Sequence, residues 1–422
     1  MFRFIHTADI HLDSPLRGLA RHEGGAVQRL RSATREAFDN LVTLAIDEQV
    51  DFVVIAGDLY DGDWRDFHTG LYFASRMSRL AGAGIKVYLL HGNHDAESQI
   101  TRRLSLPDNV KVFGARRPQS YVDETLRVAL HGQSFRQRDV TDNLARAYPE
   151  PIPDLFNIGV LHTALGGMGG HENYAPCSLD DLVSKGYDYW ALGHVHAAQV
   201  LHEHPHVVFA GNLQGRHARE TGPKGARLVT VEDGQLSECT MLYADVVRWT
   251  ALPIAVDECR READVVDAIR QAIERAVVDE SEGRLLACRI ELGGRSPLHA
   301  ELLASSEHLL AQARAAALAA GEDAAWVEKL VISTRPASAA GADGEGLDAI
   351  DELRSLLAEA VDDPDLVRRL DEDVLDMVRK LPIEVRREAE DPLLLAAMDG
   401  DLEKLLTEVS AYLHARLSAG AL

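Results

Sequence analysis

Aspartate, histidine and asparagine residues recur in five short clusters along the first half of the chain. Carboxylate oxygens and imidazole nitrogens bind divalent metal ions, and the lack of thiolates among them favours manganese, iron or zinc over copper or a structural zinc site. The number of these side chains indicates two metal ions rather than one. In chain order the clusters are Asp9-Ile10-His11, Gly57-Asp58, Gly92-Asn93-His94-Asp95, His162 and Gly193-His194-Val195-His196.

Each cluster follows a predicted strand. The strands are short apolar runs that end at a Gly, His or Asp cluster. A layered sheet domain builds one site from distant parts of the sequence by grouping side chains at strand ends. We therefore expect the five clusters to meet. The runs that precede them are residues 2–5, 52–56, 86–90, 158–161 and 189–192.

The predicted strands alternate with helices in the first 240 residues. Residues 33–46 place Ala37, Leu41, Leu44 and Ala45 on one helical face, and a second helix is predicted over 69–81. Such alternation is typical of an α/β domain. From residue 187 onward the strands run closer together, which favours antiparallel pairing. The remaining strand predictions are 128–130, 207–210 and 228–231.

The pattern changes after about residue 245. A small α/β unit is predicted from strands at 247–256, 285–292 and 327–334 and helices at 263–278 and 297–320. A Gly- and Ala-rich linker follows, and then charged helices with a break near Pro382. The predicted organisation is a first domain at 1–245, a small domain at 246–336, a linker at 337–346 and a helical region at 347–422.

Composition narrows the class of protein. The 422 residues are 46% hydrophobic and 26% charged, which excludes collagen, coiled coil and wholesale disorder. No run approaches the length of a membrane span. The four cysteines are scattered, so we expect no disulfide framework and a soluble protein in the reducing cytoplasm.

The net charge of −23 is unevenly distributed. Residues 1–240 hold 24 Lys and Arg against 30 Asp and Glu, a net charge of −6, whereas residues 241–422 hold 20 against 37, a net charge of −17. The acidity therefore belongs mainly to the C-terminal part. A nucleic-acid-binding face on the first part is not excluded, although no global basic field supports one.

Two further motifs are given structural interpretations. The histidine-rich tract 202–206 is interpreted as a solvated turn between two strands. The glycine-rich run 166–170 resembles a phosphate loop, but no G-K-[ST] follows it, so a flexible loop is the better interpretation.

The ordered set D-x-H, G-D, G-N-H-D, H and G-H-x-H resembles the signature of the calcineurin-like metallophosphoesterases, and within them the SbcD- and YhaO-type DNA repair exonucleases. The resemblance covers residues 1–240 and, more loosely, the small α/β unit. It implies a four-layer α-β-β-α sandwich with a small α/β capping domain and a helical C-terminal tail. The segments that carry it are 4–13 (FIHTADIHLD), 56–61 (AGDLYD), 92–95 (GNHD), 106–110 (LPDNV), 211–217 (GNLQGRH) and 222–225 (GPKG).

The resemblance also implies roles for individual residues. His94 would lie beside the scissile phosphate as general acid or transition-state donor, and Asp95 would orient its imidazole. Arg216, His217 and Lys224 would contact substrate phosphates, unless they are ordinary surface charges. One metal ion would be held by Asp9, His11, Asp58 and His196, and the other by Asp58, Asn93, His162 and His194.

The implied function is a manganese-dependent DNA exonuclease or endonuclease subunit that hydrolyses phosphodiester bonds in DNA repair. Its implied partners are DNA, an SMC-like coiled-coil ATPase docked by the helical tail, and a second copy in a homodimer. The alternatives for the tail are a plain helical appendage and a self-association surface.

Two alternatives remain open. A phosphodiesterase or phosphatase for small substrates would use the same metal site, because a fold does not determine the substrate. The acidity favours this alternative and the capping unit weighs against it. A scaffold with a vestigial site is the other, and the intact ligand positions weigh against it.

Overall fold

The computed structural model describes residues 1–14, 25–61, 67–97, 105–166, 174–321, 323–337, 364–382, 386, 392–402, 404–406 and 409. The predicted linker and the glycine-rich run lie almost entirely outside these residues. The chain divides into two compact units. The first comprises Met1–Ala251, Ala276–Cys288 and Ala320–Trp326, and the second comprises Leu252–Arg275, Arg289–Ala319 and Val327–Leu422.

Two six-stranded sheets form the framework of the first unit. The first sheet has the order β12-β11-β1-β2-β3-β4 and the second has the order β5-β6-β7-β8-β10-β9. The strands are β1 (Phe2–Thr7), β2 (Phe52–Ala56), β3 (Lys86–Leu90), β4 (Val110–Val112), β5 (Gln119–Asp123), β6 (Val128–Gly132), β7 (Phe156–His162), β8 (Tyr189–Gly193), β9 (Gln199–Glu203), β10 (His206–Phe209), β11 (Gly225–Glu232) and β12 (Gln235–Tyr243).

The centre of each sheet is parallel, and three of the four sheet edges are antiparallel. Strands β1 to β4 pair in parallel, and so do β6, β7, β8 and β10. Antiparallel pairing joins β11 to β1 and β12, β5 to β6, and β9 to β10. The prediction of antiparallel strands after residue 187 is therefore wrong for β8 and β10. A two-residue turn after β9 returns the chain through β10 beside β8, so these two strands run in the same direction.

Helices cover the outer faces of the two sheets. Helices α1 (Gly25–Asp47) and α2 (Phe67–Gly82) share a hydrophobic core with the first sheet. The 3₁₀ turn Leu144–Ala147 and helix α4 (Leu179–Val183) contribute to a core with the second sheet. The short helix α3 (Asn93–Glu97) follows β3 directly.

A third core lies between the two sheets. Successive side chains of a strand point to opposite faces, and every residue of β2 is buried because Phe52, Val54 and Ala56 face the second sheet while Val53 and Ile55 face the helices. A strand covered on both faces becomes continuously apolar instead of alternating. The result is the four-layer α-β-β-α arrangement, and the predicted mixed α/β fold is confirmed.

The remaining elements begin with a three-stranded sheet of order β13-β14-β15. The division between the two units falls inside these three strands. The domain boundaries inferred from the sequence stay a prediction. The elements are β13 (Val247–Ala255), α5 (Glu262–Glu280), β14 (Leu285–Ser296), α6 (His299–Ala304), α7 (Ser306–Ala320), β15 (Ala325–Pro336), α8 (Pro364–Lys380) and α9 (Pro392–Asp399).

The predicted helical break near Pro382 falls between two helices. Helix α8 ends at Lys380, and α9 begins at Pro392. The histidine tract forms the end of β9, a turn at residues 204–205 and the start of β10, as its interpretation as a turn requires. Among the described residues, no helix has the length and apolar character needed to cross a membrane.

Candidate metal centre

The five clusters converge at the carboxyl ends of β1, β2, β3, β7 and β8. The loops after β1 and β2 are joined by two backbone hydrogen bonds, from Asp9 N to the Gly57 carbonyl and from His11 N to the Asp58 carbonyl, both of 3.0 Å. The His194 amide, just after β8, donates to both carboxylate oxygens of Asp9 at 3.1 and 3.0 Å. Strands of both sheets therefore supply side chains to one place.

Several residues at these strand ends have the left-handed backbone conformation. The φ angles are 50° at Asp9, 47° at His11, 50° at Asp58 and 102° at His194. Residues other than glycine rarely adopt positive φ, and such conformations concentrate at functional sites where the surrounding structure holds them in place. Here they turn the side chains from the strand ends towards a common centre.

Two glycines make room for the converging side chains. A Cβ atom on Gly57, whose φ is 100°, would lie 2.3 Å from His162 Nδ1. A Cβ atom on Gly92 would lie 2.3 Å from Asp58 Oδ1. The glycines of the G-D and G-N-H-D motifs are thus required by the close approach of the neighbouring ligands.

Asp9, His11 and His196 form the first group of potential metal ligands. Their ligand atoms lie within 4.8 Å of one another. The Nε2 atoms of the two histidines are 3.4 Å apart, and His196 Nε2 is 4.0 Å from Asp9 Oδ1. His11 Nε2 is also 4.0 Å from Asp58 Oδ2, so Asp58 adjoins this group as predicted for a shared ligand.

The second group consists of Asp58, His162 and His194, whose ligand atoms also lie within 4.8 Å of one another, together with Asn93. His162 Nδ1 donates to the Ala56 carbonyl at 2.9 Å, which directs its Nε2 inwards. This Nε2 lies 2.9 Å from Asn93 Oδ1 and 3.3 Å from Asp58 Oδ2.

These three inward atoms all offer electron pairs. In the neutral imidazole, the only ring proton of His162 is used by the Ala56 carbonyl, so no hydrogen lies between Nε2 and the two oxygens. Buried acceptors that face one another cost free energy unless a cation lies among them. The donor set therefore fits a divalent metal ion.

The ionisation of these groups depends on their mutual charges. Burial lowers the pKa of His162, but the nearby Asp58 carboxylate outweighs this and raises it to about 9. Burial raises the pKa of Asp58, whereas His162 lowers it to well below its usual range. Burial also raises the pKa of Asp9, to about 6. Without a cation, the cluster compensates its buried carboxylates by holding a proton on an imidazole.

His94 lies beside this cluster with 32% of its side chain exposed, so a substrate can reach it. Its Nδ1 donates to Asp61 Oδ1 at 2.9 Å, and the other Asp61 oxygen accepts a hydrogen bond of 2.6 Å from Ser14 Oγ. Burial lowers the pKa of His94, but Asp61 and Asp58 raise it above its ordinary value. Asp61 thus orients the His94 imidazole and favours its protonated form.

The structure does not bring Asp95 to the His94 imidazole that it was expected to orient. The Asp95 carboxylate accepts from the backbone amides of Leu59, Tyr60 and Gly92 at 3.1, 2.8 and 3.0 Å. Asp95 lies in the first turn of α3 and is buried. Its hydrogen bonds direct the carboxylate to the loop after β2. Asp95 therefore holds the backbone around Asp58.

Glu220 is a further residue of the candidate site, and the sequence analysis did not identify it. Its Oε1 accepts a hydrogen bond of 2.6 Å from His196 Nδ1, which directs His196 Nε2 towards His11 and Asp9. Its Oε2 accepts from Asn212 Nδ2 at 2.9 Å and from the Arg216 amide at 2.7 Å. A carboxylate behind a metal-ligating histidine fixes the orientation of the ring and raises its basicity.

The three predicted phosphate contacts surround this glutamate. Arg216 Nη2 is 3.4 Å from His196 Nδ1 and 3.5 Å from Glu220 Oε1. The half-exposed His217 has its Nε2 3.6 Å from Glu220 Oε1. Lys224 is buried, and its Nζ donates to the His196 carbonyl at 3.5 Å. Arg216 thus lies next to the candidate ligand His196, and His217 lies next to Glu220. Lys224 supports the His196 loop.

Two sequence comparisons bear on the family. The profile of the calcineurin-like phosphoesterases matches residues 2–198, and that of the middle domain of the metallophosphoesterase YhaO matches residues 249–335. The uncharacterized metallophosphoesterase YhaO of Bacillus subtilis is 36% identical over 298 residues, which cover 70% of this chain and 72% of that protein. The chain belongs to the YhaO-type calcineurin-like metallophosphoesterases. Members of the calcineurin-like family are phosphoester hydrolases that bind two divalent metal ions.

More distant similarities extend beyond YhaO. The DNA double-strand break repair protein Mre11 of Methanopyrus kandleri is 28% identical over 214 residues, which cover 46% of this YhaO-type chain and 44% of that protein. This chain also resembles the crystal structure of a dimetal phosphatase from Danio rerio, with a sequence identity of 11% and a TM-score of 0.33. The matched part covers 55% of this chain and 93% of the phosphatase chain.

Proposed function

We propose that this protein is a two-metal phosphodiesterase that hydrolyses DNA, with manganese as its metal. The observation that carries the proposal is the convergence of His162 Nε2, Asn93 Oδ1 and Asp58 Oδ2, next to a second group in which His11 and His196 are 3.4 Å apart. Oxygen and imidazole ligands without thiolates suit manganese. The 28% identity to Mre11 supports DNA as the substrate.

The proposed ligand sets follow the two groups. Asp9, His11, Asp58 and His196 would hold one ion, and Asp58, Asn93, His162 and His194 would hold the other. When bound, two such ions supply Lewis acidity and lower the pKa of a water molecule near the phosphate. Asp58 faces both groups and would be shared between them.

Side chains of the protein would donate a proton, position the ligands and bind the phosphate. His94 would donate a proton to the leaving-group oxygen, because it is partly exposed and its pKa is raised by Asp61 and Asp58. Asp61 would position the His94 ring, and Glu220 would position His196. Arg216 would bind a non-bridging phosphate oxygen with its guanidinium group.

The small-substrate phosphodiesterase remains the alternative, and the net charge of −23 is the observation that favours it. A paired assay distinguishes the two. Purified protein with manganese is given linear DNA and bis-p-nitrophenyl phosphate, with Asp58→Ala as the control. Loss of DNA cleavage in the control supports the proposed nuclease. Cleavage of the small diester alone would favour the alternative.

The other inferences from the sequence stay predictions. They are a homodimer, a cytoplasmic location, and docking of an SMC-like ATPase by the helical region that contains α8 and α9.

A further inference from the structure

Two adjacent loops beside the metal centre carry four arginines, and the second loop continues to Asp139 and Asp142. Residues 114–119 (GARRPQ) contain Arg116 and Arg117, and residues 133–138 (QSFRQR) contain Arg136 and Arg138. The loops are joined by a hydrogen bond of 3.2 Å from Ser134 N to the Gly114 carbonyl, and Gln133 Nε2 donates to the Ala115 carbonyl at 3.3 Å. The four arginines therefore lie on two adjoining loops, and we call them together the arginine track.

The arginine track is anchored to the metal centre by aromatic contacts. Between the loop arginines, the Phe135 ring packs edge-on against the His162 ring, with centroids 5.5 Å apart. The Phe135 amide donates to the His91 carbonyl at 2.9 Å, directly before the G-N-H-D motif. Arg136 is the next residue in the chain, and its side chain is exposed.

Arg138 is anchored in the same way. Its Nε donates to Tyr174 Oη at 3.2 Å, and the Tyr174 ring lies 5.7 Å from the ring of His194. The track thus begins at the two histidines of the second ligand group and continues outwards to Arg116 and Arg117, which line an open cavity of about 630 Å³.

Three of the four arginines of the track are exposed and lack an ion-pair partner among the described residues. They are Arg116, Arg117 and Arg136. The molecule as a whole carries −23 charges, so an exposed group of arginines without ion-pair partners is a local exception. Local fields of this kind attract anions even when the net charge opposes them.

We propose that the arginine track binds the phosphates that flank the scissile one in a polynucleotide strand. The inference rests on the proposed function and deepens it by naming the surface that would bind a polynucleotide beyond the scissile phosphate. A small diester has a single phosphate, which the metal ions and Arg216 would bind. It has no further phosphate that could reach the arginines of the outer loops. Guanidinium groups bind phosphate oxygens with two parallel hydrogen bonds.

The test compares two variants that lose the same charge. Arg116→Gln, Arg117→Gln and Arg136→Gln are combined in one protein, and the exposed Arg31, Arg79 and Arg127 are changed to Gln in a matched control. Binding of a fluorescent 30-base-pair duplex, about three helical turns, is followed by anisotropy between about 50 and 200 mM salt. Calcium replaces manganese, and a gel verifies that the duplex stays intact. Melting temperature and metal content verify that both variants fold.

The track variant should bind DNA at least about tenfold more weakly than the control, and the slope of log K against log salt should flatten by about 2 to 3. With manganese, its loss of DNA cleavage should exceed any loss on bis-p-nitrophenyl phosphate. Equal affinity of the two variants, or no DNA binding by the unaltered protein, would overturn the inference. DNA binding through the track without cleavage would leave the inference standing and refute the proposed nuclease function instead.

Discussion

Asp58 faces both groups of ligand atoms, with its Oδ2 3.3 Å from His162 Nε2 and 4.0 Å from His11 Nε2. Its Oδ1 accepts the His94 amide at 3.0 Å, so the same carboxylate also holds the start of α3. This position was predictable because G-D follows a buried strand and occurs in a fixed order with the other clusters. The partners of the histidines were less predictable.

Asp61 is the residue where the sequence analysis was least successful. The carboxylate next to His94 in the sequence, Asp95, was expected to orient it, whereas the carboxylate next to it in space is Asp61. Sequence proximity could not decide this, because Asp95 turns away to bind three backbone amides. The choice depends on how the loop after β2 passes over α3.

We predict that Asp61→Asn lowers the rate of bis-p-nitrophenyl phosphate hydrolysis by about 10- to 100-fold, because His94 loses the carboxylate that orients it. The metal content should remain that of the unaltered protein. Because Asp61, His11 and His94 also form a group within 4.8 Å, the metal content is the decisive readout. Loss of one metal ion in Asp61→Asn would show that Asp61 is a ligand and refute the orienting role.

Glu220 was not identified because its partner is distant in the sequence. His196 lies 24 residues earlier, and no spacing rule joins the two residues. Only the folded loop after β10 brings the carboxylate behind the imidazole.

We predict that Glu220→Gln weakens metal binding by about 10- to 100-fold, since a neutral amide supports the His196 ring less well than a carboxylate. Calorimetric titration of the metal-free protein with manganese measures the affinity directly. Glu238→Gln, at an exposed position of β12, is the matched control. Equal manganese affinity in both variants would rule out the assigned role of Glu220.

At the scale of elements, the correctly predicted strands of the two six-stranded sheets are the buried ones. Strand β2 was predicted at its observed limits because its five apolar residues are covered on both faces and closed by Gly57. Strands β5, β9 and β12 were not predicted, because most of their residues are exposed or half-buried and their sequences are polar. Their pairing with a neighbouring strand determines their structure, and no local signal records it.

His6 links the two sheets. It lies on β1, its Nε2 donates to the Leu192 carbonyl on β8 at 3.2 Å, and its Nδ1 accepts from Tyr189 Oη at 3.0 Å. Burial lowers the pKa of His6 from 6.5 to about 3. The folded protein therefore keeps this imidazole neutral where the unfolded chain binds a proton.

This linkage predicts a pH-dependent stability. As the pH falls below about 6.5, the unfolded state gains a proton that folded His6 does not accept, so the free energy of unfolding decreases by up to about 1.4 kcal/mol per pH unit. The loss continues until the pH approaches the folded pKa of about 3. His6→Gln should show a shallower decline by this amount.

Urea unfolding of the metal-free proteins between about pH 7 and pH 5 measures the difference between the two slopes. Metal-free protein is used so that acid release of metal does not contribute. Identical slopes for the unaltered protein and His6→Gln would contradict the linkage.

At the scale of the whole molecule, most of the negative charge lies in a different part of the chain from the proposed DNA-binding site. The metal centre and the arginine track lie within residues 1–240, which carry a net charge of −6, while the remaining residues carry −17. All the proposed ligands come from the first unit. Composition alone could not reveal this separation, because a total charge does not record where the charges lie in the fold.

A titration of metal-free protein with manganese tests the central claim most directly, when bound metal and bis-p-nitrophenyl phosphate hydrolysis are measured in the same samples. The account predicts two bound ions per chain, with the rate rising as the second binds. In Asp58→Asn, both sites should be weakened and the rate should fall by about a thousandfold. Full activity in the metal-free protein, or two tightly bound ions in Asp58→Asn, would contradict a two-metal centre built around Asp58.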